Sequence, residues 1–183
     1  MTVCIEWHYH DTGGVYSTDM TTLTETLSEM VDVAEGYCQL IENPVEKSAD
    51  KWLGSLFALM PRLHSAVTSL NAYETGDMQI PGVDLDDRFK LYSRLRKLLG
   101  DRDSYWLEFD AAPEEMHMSG SLADDLTDIY FDLQHGLELL DEAWPQRAAQ
   151  TWQTSYRLHW GQHLVDAERH LYALKVRDQM VAN

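Results

Sequence analysis

Apolar residues recur every three or four positions in five runs, the repeat of one face of an α-helix. The first run carries Leu23, Leu27, Met30, Val31, Ala34, Tyr37, Cys38 and Ile41 and predicts a helix from Met20 to Glu42. Thr22-x-x-Glu25 reads as its capping box, and Asn43-Pro44 as its end. The second, over about 48–71, carries Trp52, Leu53, Leu56, Leu59 or Met60, Leu63, Val67 and Leu70. Pro61 inside it predicts a kink or a split. Gly76, Pro81 and Gly82 mark a loop, after which Phe89, Tyr92, Leu95 and Leu99 predict the inner face of a third helix stopped by Gly100. The stretch 101–120 reads as mostly irregular, with an aromatic insert of Tyr105, Trp106 and Phe109 covering one end of the bundle, then an acidic loop at Pro113-Glu114-Glu115. A second capping box, Ser121-x-x-Asp124, opens a fourth helix with Leu122, Leu126, Ile129, Leu133, Leu137 and Leu140 on one face. Pro145 suits the first turn of a fifth.

The fifth helix stands apart. Trp160, Leu164, Ala167, Leu171 and Leu174 form its apolar stripe. Beside it runs a second stripe of Trp152, Tyr156, His159, His163, Asp166 and His170, rotated by roughly 80–90° at about 100° per residue. Edge positions usually carry Glu, Lys or Gln; these carry aromatics, imidazoles and a carboxylate. Helix four has a matching flank of Asp125, Asp128, Asp132 and His135. Gly161, costing about 1 kcal/mol in a helix interior, predicts close approach by a neighbouring helix or a small gap.

These patterns predict an all-α, up-and-down bundle of about five helices over residues 20–183. Residues 1–19 differ. Val3, Ile5, Trp7 and Tyr9 alternate with polar residues before Asp11-Thr12-Gly13-Gly14, so this stretch reads either as a short β-hairpin or as a disordered extension ahead of a native start at Met20. The 31 acidic against 14 basic residues leave a net charge of −17, which repels phosphate backbones and disfavours nucleic acid and anionic membranes. No apolar run approaches the roughly 20 residues that span a bilayer, and no signal peptide is recognisable. Cys4 and Cys38 form no motif, which fits a reducing cytoplasm.

Two motifs carry a family resemblance: Ser121-Leu-Ala-Asp-Asp-Leu-Thr-Asp-Ile-Tyr-Phe-Asp-Leu, and Trp152 followed by His159-Trp160-Gly161-Gln162-His163 and Asp166-Ala167. The chain resembles the bacterial domain-of-unknown-function 5063 family over about residues 20–175, departing from its pattern at Leu164 and Glu168. The resemblance implies an all-α bacterial protein and no particular activity.

Three chemistries suit these residues. His159 and His163, four apart, can reach one divalent metal, with Asp166 and a helix-four carboxylate such as Asp128 completing the shell. The plainer reading is a structural network in which the imidazoles donate to Asp125, Asp128 or Asp132, because a buried carboxylate needs a partner. No cofactor is required by that reading. Trp152, Tyr156, His159 and Asp128 also suit the wall of a small-molecule groove between helices four and five, although aromatics at such spacing are more often core fillers. Lys90, Arg94 and Lys97, with Arg88 and Arg96 nearby, read as a solvated face, with a phosphate, an acidic partner or a second copy in a homodimer as alternatives. The leading expectation is a non-catalytic cytoplasmic protein that binds a protein partner or small ligand through the helix four–five groove. The alternative is a metal-dependent hydrolase with an Asp/His site.

Overall fold

The computed structural model describes residues 17–44, 49–70, 84–107 and 118–177, and within them the chain is an all-α bundle. Its helices are α1 (Ser17–Glu42), α2 (Ala49–Ser69), α3 (Leu85–Leu99), α4 (Leu122–Asp141), α5 (Pro145–Ser155) and α6 (Gly161–Val176). A π-helical turn, Tyr156–Trp160, joins α5 to α6 with right-handed helical backbone at both junctions, so the three form one rod and the bundle has five.

The amphipathic faces explain the packing. α4 sits at the centre, against α1, α3, α5 and α6, while α2 lies between α1 and α6. Leu122, Leu126, Ile129 and Leu133 of α4 meet Met30, Tyr37 and Ile41 of α1 and Trp160, Leu164 and Leu171 of the last rod in one continuous core. Buried polar tips are satisfied: the Tyr37 hydroxyl donates to the Leu126 carbonyl at 2.8 Å, and the Trp52 indole donates to the Leu40 carbonyl at 2.8 Å.

Several expectations change. α1 already runs at Ser17, upstream of Thr22, so the Thr22–Glu25 box lies inside the helix and does not start it. The remainder of the expected N-terminal hairpin or extension, residues 1–16, lies outside the described residues, as do the loop at 71–83 and the acidic loop with Phe109 at 108–117. Pro61 does not divide α2. On α3 the inner face is Leu91, Leu95 and Leu99, and Phe89 points to solvent. Leu91 lies four residues from Leu95, so the rod settles on the leucines rather than on the larger ring.

The stretch expected to be irregular contains an antiparallel hairpin, β1 (Ser104–Leu107) with β2 (Met118–Ser121), pairing Tyr105 with Gly120. A side chain at Gly120 would occupy the space of the Tyr105 ring, so the glycine lets the tyrosine cross its partner strand toward α4. Asp103, just before β1, accepts from the Ser121 hydroxyl at 2.9 Å and from the Ala123 N–H at 2.8 Å. Ser121 in turn caps α4 through the Asp124 N–H, as its box predicts.

The π turn decides which way the last rod faces. The Gly161 N–H donates to the Tyr156 carbonyl five residues back. A Cβ at Gly161 would overlap that carbonyl oxygen and press on the Tyr156 ring at 3.0 Å. The close approach predicted at this glycine is therefore made by its own preceding turn, not by another helix. A π turn holds one residue more than an α turn, which rotates everything beyond it by about 100° relative to a regular helix.

Candidate metal centre between α4 and α6

Asp125, Asp128 and Asp132 recur at three and four residues, so α4 presents them as one stripe toward the last rod. The π turn delivers His159, and the first turn of α6 delivers His163, onto that stripe. His163 Nδ1 lies 2.9 Å from Asp125 Oδ1, and His159 Nδ1 lies 2.7 Å from Asp132 Oδ2. Each imidazole thus gives its Nδ1 to a separate carboxylate, which leaves Nε2 as the nitrogen free for another partner. His163 Nε2 is 3.4 Å from Asp128 Oδ2. One ligand atom from each of Asp128, His159 and His163 lies within 4.8 Å of the other two. Asp128 is buried and His159 is exposed, so the cluster runs from the core to solvent.

The surroundings set the protonation. The hydrogen bond to Asp125 raises the His163 pKa above the ordinary imidazole value, burial opposes it, and Asp128 and Asp124 reinforce it. Burial raises the Asp125 pKa, while hydrogen bonds from His163 and Tyr105 pull it back down. The second Asp125 oxygen accepts a short hydrogen bond from the Tyr105 hydroxyl. Behind Asp128 stands Arg88 of α3, whose Nε and one terminal nitrogen reach the two carboxylate oxygens at 2.7 and 2.9 Å and whose guanidinium also meets Asp124 at 2.9 Å. The hydrogen bond to Asp128 holds the Arg88 pKa above its usual value. The acidic stripe is therefore clamped by a guanidinium on one flank and two imidazoles on the other.

The predicted residues separate into three groups. Asp125, Asp128, Asp132, His159 and His163 come together. Asp166 turns aside: its carboxylate takes the Gln162 amide at 2.8 Å and lies 3.7 Å from Arg169, so it does not join the Asp128–His159–His163 group. Trp152 and Tyr156 do not line a groove with His159. Trp152 is fully buried, its indole N–H on the Leu133 carbonyl at 3.1 Å. Tyr156 faces α2, its hydroxyl 2.9 Å from His64 Nε2. The continuous helical stripe read from the sequence ignores the π turn, which rephases the rod between Tyr156 and His159. Arg88 and Tyr105 were missed as site residues because both reach α4 from elements distant in the chain. Of the basic face on α3, Arg94 caps α1 through the Ile41 carbonyl at 2.9 Å and Lys90 pairs with Asp87 at 2.7 Å, so these cations are engaged within the protein.

Two nitrogens and a carboxylate oxygen are donors suited to zinc, manganese or iron. Carboxylates on the far nitrogens of both imidazoles match the outer-shell support that orients metal-bound histidines. Arg88 on Asp128 leaves lone pairs of that carboxylate unspent.

A family model described as "Domain of unknown function (DUF5063)" matches residues 21–177. The crystal structure of protein BF1032 from Bacteroides fragilis, a Northeast Structural Genomics Consortium target, is similar in fold: TM-score 0.68 at 22% identity, covering 82% of this chain and 92% of that one. A search of curated proteins found no match. Among the described residues, no helix is long and apolar enough to cross a membrane.

Proposed function

This chain belongs to the DUF5063 family, and we propose that it binds a divalent transition metal through Asp128, His159 and His163 at the seam of α4 and the last rod. The observation that carries the reading is the pair of imidazoles, each tied by Nδ1 to its own carboxylate, with His163 Nε2 at 3.4 Å from Asp128 and a ligand atom of His159 within 4.8 Å of both. A network serving only stability needs no such convergence of ligand atoms. Three protein donors leave coordination positions for water or a ligand oxygen, the arrangement of reactive rather than sealed metal sites. Metal-assisted hydrolysis is the reaction class such a centre would serve. A small organic ligand in the α4–α5 groove has weaker support, since Trp152 is sealed and Tyr156 is turned toward α2.

Metal content of the purified full chain and thermal melts with added zinc, manganese or ferrous iron test the proposal. An ion at one hundred times its dissociation constant stabilises by about 2.7 kcal/mol, or roughly 5–10 °C for a chain of this size. His163→Ala and Asp128→Asn should abolish the shift, and Asp166→Asn should keep it. Absence of bound metal together with unchanged melting, or a shift that persists in His163→Ala, would overturn the reading.

A further inference from the structure

A cleft of about 450 Å³ opens on another side of the rod, between α2 and α6, lined by Phe57, Met60, Pro61, His64, Glu168 and Leu171 among others. Its volume suits a small molecule. Met60 and Leu171 are fully buried and supply an apolar floor. Of its polar side chains, His64, Thr68 and Glu168 turn acceptors to the cleft, while the Ser65 hydroxyl can donate or accept. His64 is held from both ends: Nδ1 is 3.2 Å from Glu168 Oε2, and Nε2 is 2.9 Å from the Tyr156 hydroxyl. With Nδ1–H donating to Glu168 and the tyrosine donating to Nε2, the imidazole keeps no spare hydrogen. The Glu168 carboxylate retains further lone pairs and remains about one-quarter exposed. Thr68, also at the cleft, spends its hydroxyl hydrogen on the His64 carbonyl at 2.8 Å. Pro61 has no N–H, so the Phe57 carbonyl, one turn earlier, lacks its α-helical donor. The Phe57 ring already receives an ammonium, with Lys175 Nζ at 4.5 Å from its centroid.

An acceptor-rich wall over an apolar floor selects a ligand that is a cationic donor with an apolar body. We propose that the α2–α6 cleft binds a small organic amine, its ammonium on Glu168 and the Phe57 carbonyl and its apolar body on Met60, Pro61 and Leu171. The site is separate from the histidine–aspartate seam and does not depend on it.

The test compares phenethylamine, 2-phenylethanol and 3-phenylpropionate on the full chain, by titration calorimetry and amide chemical shifts. The amine is expected to bind about tenfold or more tightly than the alcohol, the worth of one charge-assisted hydrogen bond, and the acid not at all. Glu168→Gln should remove the advantage of the amine and leave the alcohol unchanged. Pro61→Ala, which restores an N–H for the Phe57 carbonyl, should weaken the amine severalfold. Both positions are at least partly exposed, and thermal melts check that each variant folds. Equal binding of amine and alcohol, unaltered amine binding in Glu168→Gln, which would mark diffuse attraction to an acidic surface, or no binding of any probe would each overturn the proposal.

Discussion

Gly161→Ala tests the account of the last rod most directly. In an ordinary helix interior this substitution stabilises by about 1 kcal/mol, because alanine loses less backbone freedom on folding. Here the added Cβ would overlap the Tyr156 carbonyl oxygen and meet the Tyr156 ring at 3.0 and 3.1 Å. The carbonyl is backbone and is held by the Gly161 N–H, so no flexible side-chain end can move away. Overpacking of this kind costs about 1–3 kcal/mol, and sometimes more. Set against the helical gain, the net effect is a loss of up to about 2 kcal/mol, or a melting temperature lower by several degrees. Gly54 of α2 is the internal control, since a Cβ there meets nothing within 4 Å, and Gly54→Ala should stabilise by up to about 1 kcal/mol. Thermal and urea denaturation of the two variants beside the parent give the comparison. Because His159 lies within the π turn, Gly161→Ala should also weaken the metal-dependent shift in melting. If Gly161→Ala matched Gly54→Ala in stability, the π turn would not require a glycine, and the rephasing of the rod would lose its cause.

Two further outcomes follow from the packing. Gly136→Ala on α4 would drive a Cβ into the indole of Trp152, with Cδ1 at 2.7 Å, and that ring is fully buried; unfolding by urea should show a loss of about 1–3 kcal/mol, whereas an unchanged midpoint would contradict the fit of α5 against α4. Burial lowers the His170 pKa from 6.5, against the hydrogen bond its Nε2 makes to the Arg102 carbonyl at 2.7 Å. The unfolded chain then binds more protons at this site than the folded one, so the stability due to neutral His170 is intact above about pH 6.5 and is lost as pH falls below it. A proton NMR titration placing the His170 midpoint at or above 6.5 would show the sign to be wrong.

How much of the site was legible depends on the range of the contact. The Asp125–Asp128–Asp132 stripe and the His159–His163 pair follow from helical spacing within single rods, and both flank apolar faces that must turn inward. Their meeting was inferable because helices joined by a short link pack side by side. Arg88 and Tyr105 were not inferable as partners. Arg88 resembles the other cations of α3 until the bundle closes it onto Asp124 and Asp128. Tyr105 lies on a strand of four residues, too short to impose a readable alternation. The Tyr156–His64 contact was missed because the stripe assumed a constant turn, and one extra residue in the π turn broke that assumption.

Local physics settled, from residues alone, that this chain makes amphipathic helices, that Ser121 begins α4, that Gly100 ends α3, and that five rods must bury their leucine faces against one another. Those properties depend on neighbours within a turn or two of the chain. The tertiary structure alone decided which acidic groups meet a guanidinium and which meet imidazoles, and whether Tyr156 looks toward α4 or α2. Such choices depend on the relative rotation of packed rods, and a single added residue in one turn changes that rotation by more than a quarter of a circle.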